Sequence, residues 1–547
     1  MTSTSAFGGR TPAGSSGRLL PSGETAVLAE VADLDAALAL YRRLDSTRPP
    51  GVVDLVLGAR TVLAVGRTAA DLPSLRAALA AALVAPASEG DSDAEGDVTL
   101  DVVYDGPDLA AVATLLGWTP QQVIDAHTGT PWRVAFAGFA PGFAYLTGGD
   151  PRLAVPRRPA PRTSVPAGSV GLAGAYSGVY PRSSPGGWQL LGTTDAALWD
   201  LTRPSPALLR PGMTVRFRSA SAPPAAGEPG DPTSSHTVRR PEASSPPNAG
   251  GSPAGPQAAP AAGRALLVTA SGLTTVQDAG RHGWAHVGVP VAGPADRAAW
   301  ALANRLVGNP GTAAALEITL GGLEVVATTD LMLAATGAHA PATSNGTPLP
   351  HGVVWFVAAG DTIRLGRPVS GLRTYLAVSG GIATDPVLGS RSTDTLSGLG
   401  PGRVREGDLL PVGPQPPIPL RHPSAVPGKP PGDGLALEVA PGPRRDWLAE
   451  PDALAGPWIV SGDSDRIGVR LSGTPLRRHP DHDGEELPSE GVVRGAVQLP
   501  AGGQPVVFGA DHPVTGGYPV VGVLTSASSD MLAQARPGQT VTLHWTR

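Results

Sequence analysis

The stretch from Ser219 to Gly263 reads SASAPPAAGEPGDPTSSHTVRRPEASSPPNAGGSPAGPQAAPAAG and has almost no large apolar side chain. Such a segment cannot offset its ordering entropy. It predicts a flexible, disordered linker over 219–263 and a disordered tail over 1–19, leaving two separately folding halves of about 218 and 284 residues. The full 547 residues suit three or four packed units. Glycine and proline are abundant, at 72 and 60 residues, but 41% of the chain is apolar, enough to build cores between many turns.

Several function classes fall away at once. The net charge of -5 offers no basic stripe for a phosphate backbone, so nucleic acid is not an expected partner. No cysteine is present, which removes disulfides, thiolate metal sites and cysteine nucleophiles. The first twenty residues lack an apolar signal core and no apolar run is long enough to span a bilayer, so no membrane association and a cytoplasmic location are expected. Lys429 is the sole lysine. A Walker A lysine, a Schiff-base lysine and a biotin-accepting lysine are therefore excluded, and no complete G-x-S-x-G supplies a hydrolase serine.

The first half has a readable order of elements. Glu24 to Val31 reads as a strand, and Leu34, Ala37, Leu38, Tyr41 and Leu44 form one helical face. Val52–Leu57 and Thr61–Val65 flank a hairpin turn, Leu72 to Val84 is a second helix, and Val98 to Tyr104 a further strand. That order predicts a split βαβ subdomain over 20–104, with SEGDSDAEGD as an acidic loop. Helices are expected from Asp108 to Leu116, ending at Gly117, and after Thr119, where Thr119, Pro120 and Gln122 form a capping signature. Short apolar runs broken by Pro and Gly then predict a small β-barrel over 105–218. The same texture fills 264–547, apart from a helix from Asp296 to Val307 that stops at Gly308.

Three strings concentrate polar residues among glycines. In FAGFAPGFAYLTG and PRRPAPRTSVPAGSVGLAGAYSGVYPRSSPGGWQLLGTT, Gly168 and Ser169 open the backbone while Arg157, Arg158, Arg162 and Arg182 offer forks for a carboxylate or phosphate. In SGLTTVQDAGRHGWAHVGVPVAGPADRAAWALANRLVGN, Gln277, Asp278 and Arg281 lie in a Gly-rich turn, Asp296 at a helix start, and Asn304 and Arg305 on that helix; Glu317 follows in a strand. In GVVRGAVQLPAGGQPVVFGADHPVTGGYPVVGVL, Gln498, Gln504, Asp511, His512, Thr515 and Tyr518 sit at strand ends. Each also has a plain reading: barrel bends for the glycines, an N-cap for Asp296, an ion pair for Glu317, turn caps for Asp511 and Thr515. His479 and His482 fit a solvated loop rather than a metal site, and His127 suits a helix C-terminus.

The strings carry a resemblance. GFAPGFAYL, PR-x-x-PR-x-x-VPAGSVG-x-AG and YP-x-SSPGGW-x-LLG-x-T resemble the family of allophanate hydrolase subunit 1, or carboxyltransferase domain C/D. GL-x-TTVQDAGR-x-G, GVP-x-x-G, D-x-x-A-x-x-x-AN-x-LVGN and LE-x-TL resemble its partner family, subunit 2 or domain A/B. The resemblance implies a mainly β fold with α+β: cyclophilin-like barrels, one in the first half and two in the second, plus the N-terminal split βαβ domain. Its members include urea carboxylase, paired subunits of an ATP-dependent 5-oxoprolinase, and a sporulation-kinase inhibitor with its antagonist.

Urea carboxylation needs a biotin carrier, and this chain has neither that module nor its lysine. The fused pair resembles the 5-oxoprolinase subunits, which implies an ATP-dependent hydrolase of a cyclic amide, ATP with Mg, no covalently bound biotin, and a third, lactam-utilisation-type subunit. Homo-oligomerisation is left open. On that reading Arg162, Gly168 and Ser169 hold a carboxylate or phosphate; Gln277, Asp278 and Arg281 orient the amide. Glu317 or Asp511 moves a proton. Asn304, Arg305, Gln498, Thr515 and Tyr518 line the substrate site. The competing readings are a biotin-dependent carboxyltransferase component and a non-enzymatic histidine-kinase regulator.

Overall fold

The computed structural model describes residues 17–85, 96–221, 263–416 and 434–546. The expectations placed on 1–16, on most of the acidic loop and on 222–262 lie outside the described residues, as does Lys429.

The N-terminal subdomain is a four-stranded antiparallel sheet in the order Arg18–Ser22, Ala26–Glu30, Thr61–Gly66, Val52–Leu57. Two helices cover one face: α1, Leu34–Thr47, capped by the Asp33 side chain accepting from Ala36 N, and α2, Leu72–Val84. Leu38, Tyr41 and Leu44 of α1 pack with Leu75 and Leu79 of α2 over Val27, Ala29 and Val62. The opposite sheet face, with Ala26, Leu28, Val56 and Leu63, is equally buried, against Val492, Val493, Ala496 and Val523 of the second half. Burial on both faces explains why Ala26–Glu30 is inaccessible throughout and reads as unbroken apolar sequence up to its final glutamate.

Two strands depart from expectation. Arg18 and Leu19, assigned to the tail, belong to the edge strand Arg18–Ser22. The strand expected at 98–104 forms at Asp97–Val102, but it does not close the split βαβ sheet. It pairs in parallel with Thr214–Ser219, and Leu100 and Val102 enter the barrel core beside Val215 and Phe217. The reason is edge protection: this pairing joins the first and last strands of the barrel unit and covers the edge that Thr214–Ser219 would otherwise expose.

That unit is a seven-stranded sheet with α3, Leu109–Leu116, and α4, Pro120–Gly129, packed against it. The Thr119/Gln122 capping box is present, and Gly117 ends α3 with φ 69° in the left-handed region. The second half holds stacked six- and five-stranded sheets over one core, then a closed seven-stranded barrel. This last barrel repeats the pairing of first and last strands, since Gly434–Pro441 runs parallel to Thr540–Trp545. The architecture is mainly β with barrels in both halves. Helix α5, Arg297–Leu306, starts at Asp296, whose side chain accepts from Ala299 N, and lies along the five-stranded sheet. Helix α6 spans Ser526–Leu532. Among the described residues, no helix is long and apolar enough to cross a membrane.

Candidate functional site

The halves meet through specific polar contacts as well as apolar burial. Strand Val52–Leu57 has a register irregularity between Val52 and Asp54, the kind of bulge that re-aims a side chain. Asp54, the lone acid in VVDLVL, there accepts hydrogen bonds from the backbone of Gly283, at 2.9 and 3.0 Å, and of Ala285, at 3.2 Å. Ala59 N donates to Ser489 O, Gly142 N to Val287 O, and Ser526 N to the Glu24 carboxylate. Arg444, almost wholly buried, donates to Glu30 of the first half at 3.0 Å and to Glu490 at 2.8 and 3.0 Å. Gly138 lies so close to Thr515 that a Cβ there would stand 1.9 Å from the hydroxyl oxygen.

These contacts border an open cavity of about 700 Å³ lined by both halves. The first half contributes Glu24, Asp54 and Arg67. The stacked-sheet unit contributes Asp278, His282, Arg297 and Arg391. The last barrel and its α6 add Arg494, His512 and Ser529. Most of these groups are tied down. Asp278 accepts from Gly280 N at 3.0 Å, Ser390 Oγ at 2.5 Å, Ser392 Oγ at 2.7 Å and Arg391 N at 2.5 Å. Arg391 donates to Thr384 O, and Arg494 to Ala295 O and to Asp530. Asp530 also accepts from the backbone of Arg297 and Ala298, at the positive end of α5.

His512 is positioned by stacking on Phe508 and by Nδ1 donating to Pro513 O at 2.7 Å. Burial lowers its pKa to about 4, only partly opposed by that carbonyl, so the ring is neutral at pH 7 and Nε2 is an acceptor. His282, 3.9 Å from Asp54, is also held below the ordinary imidazole value; burial is the main cause, and the charges of Arg297 and Arg67 add to it.

The residues given site roles by the sequence fall in several places, and of them Asp278 lines the cavity. Glu317 and Asp511 are buried behind it, bridged by Arg466. Arg466 donates to Asp511 at 2.9 and 2.8 Å and to Glu317, which also accepts from Tyr375 Oη at 2.8 Å and Ala295 N at 2.9 Å. Burial pushes the Glu317 carboxyl upward, but Arg466 and Arg373 outweigh it and hold the group ionised, in an ion-pair role. Arg281 is buried and donates to Val387 O and Ser392 O; Gln277 donates to Thr275 Oγ1 and Thr393 O. Both brace loop backbone. Asn304 donates to Ala313 O, and Arg305 lies exposed on α5.

In the first half, Arg162 pairs with Asp108 at 2.8 Å, an acid it shares with Arg158. Gly168, with φ 79°, donates to Tyr180 O, and Ser169 is buried in the adjoining strand. Gln498 reaches Tyr518 O at 3.4 Å, Thr515 packs on Gly138, and the Tyr518 residue is 49% exposed. His127 lies inside the barrel unit between Tyr104 and Ser177. Sequence reasoning missed Asp54, Arg67, Arg297 and Arg494. Its available signals were the single acid in an apolar strand and an arginine directly after the helix cap.

Two β-rich halves lining a common cavity make a two-part protein, and both parts are of carboxyltransferase-domain type. The model of carboxyltransferase subdomains C and D matches residues 17–209, and that of subdomains A and B matches 287–545. The chain belongs to this carboxyltransferase-domain family, with C/D fused ahead of A/B. A 5-oxoprolinase subunit from Escherichia coli (strain K12) is 40% identical over 282 residues, 50% of this chain and 89% of that protein. A different 5-oxoprolinase subunit, from Escherichia coli O157:H7, is 50% identical over 123 residues, 22% of this chain and 56% of that protein, so this match spans little more than half of the relative. The crystal structure of TTHA0988 superposes with a TM-score of 0.80 at 33% identity, covering 95% of this chain and 99% of that one.

Proposed function

We propose that this chain is the fused two-subunit component of a cytoplasmic ATP-dependent 5-oxoprolinase, opening the lactam 5-oxoproline to glutamate with a third, lactam-utilisation-type subunit. The observation that carries this reading is a cavity lined by both halves. The relatives of the two halves, two different 5-oxoprolinase subunits, supply the substrate class.

The chemistry suits the residues. A lactam carbonyl is a poor electrophile; phosphoryl transfer from ATP to its oxygen would let water add at that carbon, the C–N bond break and phosphate depart, giving glutamate, ADP and phosphate. The cavity offers guanidinium groups for carboxylate or phosphoryl oxygens. Neutral His512, with Nδ1 committed to Pro513, presents Nε2 to take a proton from the attacking water. Asp278, fixed by four donors, anchors the loop that carries Arg391. Among the described residues no group of three metal-ligating side chains occurs, so Mg would enter with the nucleotide.

The test is to mix the full chain with the third subunit, 5-oxoproline and ATP, and to measure glutamate and ADP. Equal formation of both is expected. Carboxyl transfer from a biotinyl carrier, or capture of a histidine kinase without lactam turnover, would replace this reading.

A further inference from the structure

We propose that Arg67 of the first half and Arg297 of the second together hold one anionic group of the ligand, a carboxylate or a phosphoryl group, across the cavity. This clamp deepens the function proposed above and rests on it only for the identity of the ligand.

Pairing separates the charges that line the cavity. Asp54 is satisfied by two backbone amides, Asp278 by four donors and Glu24 by Ser526 N, while Arg391 and Arg494 donate to carbonyls and to Asp530. Arg67 and Arg297 differ: neither guanidinium makes a hydrogen bond or ion pair with any described residue. The acid nearest to Arg67 in sequence, Asp71, feels its charge and is approached by its backbone N–H, not by its guanidinium, and is held by Thr68 N at 2.8 Å and Thr68 Oγ1 at 3.1 Å. Asp530, whose charge reaches Arg297, is occupied by Arg494 and the first amides of α5.

Both residues are exposed, so water rather than protein answers their charge, and each guanidinium is free to take an anion that enters the cavity. Both line the same cavity, one from each half of the chain, and His282 lines it with them. A single anion there would accept from two forks, and cavity size restricts it to a small molecule. Because the arginines come from different halves, the ligand would be gripped only when both walls are in place.

The experiment is calorimetric titration of the full chain, wild type and the variants Arg67→Gln, Arg297→Gln and Arg297→Lys. The probes are 5-oxoproline, inorganic phosphate, and 2-pyrrolidinone, which keeps the lactam but lacks the carboxylate. An anionic probe should bind the wild type; each Gln variant should weaken it at least about tenfold, and Arg297→Lys should restore part of the loss. Any 2-pyrrolidinone binding should be unchanged in the variants. Phosphate binding that needs both arginines, with no 5-oxoproline binding, would keep the anion clamp and remove the lactam reading. 5-Oxoproline binding unaffected by either Gln variant would do the reverse, and absence of binding by both anions would overturn the clamp.

Discussion

Two sets of charges look alike in sequence and behave oppositely in the fold. Glu317, Arg466 and Asp511 are almost fully buried and answer one another, with backbone and Tyr375 donors completing the set. Arg297, on the neighbouring α5, faces the cavity without a hydrogen-bonding partner for its guanidinium among the described residues, as does Arg67 across from it. The contrast separates scaffolding from recognition: a closed set joins the two units of the second half, whereas an open charge waits for a ligand.

Breaking the closed set should have the largest effect. Arg466→Met leaves Glu317 and Asp511 buried without their shared cation, and denaturant unfolding should show a loss of about 3–5 kcal/mol. A smaller loss, about 1–3 kcal/mol, is expected for Gly138→Ala, because the added methyl meets Thr515 across the junction of the halves. Thr515→Ala in the same chain should recover part of it.

The histidines sharpen the comparison through pH. Burial lowers the pKa of His127 to about 3 and of His512 to about 4, against 6.5 for an ordinary imidazole. The unfolded chain therefore binds more protons below pH 6.5, and the stability these rings contribute is complete above that value. It should fall as pH drops toward 4, by up to about 1.4 kcal/mol per pH unit per ring. Melting curves between pH 7 and pH 4 check this, and His127→Gln should flatten the slope. The smallest effect belongs to the open charge: Arg297→Gln should change stability by no more than about 0.5 kcal/mol, since no internal partner is lost.

Much of the scaffold was legible. The capping signals at Thr119 and Asp296, the left-handed stop at Gly117 and the apolar face of α1 are local, and local chemistry fixes them. Strand partnership was not, because the choice of Asp97–Val102 between two sheets depends on Thr214–Ser219, far along the chain. The site suffered for the same reason. Glu317 resembles a catalytic acid until Arg466 is placed beside it, and Arg297 reads as one more solvated helix residue until the cavity it lines with the first half is seen. The resemblance named the family. It could not distinguish paired charge from free charge, which is a property of long-range contacts.

An experimental structure of the full chain with 5-oxoproline bound decides whether the shared cavity is the site. The ligand is expected between the halves, its carboxylate within hydrogen-bonding distance of both Arg67 and Arg297. A ligand seated beside Arg162 in the first half alone, or against the loop braced by Arg281, would contradict a shared site.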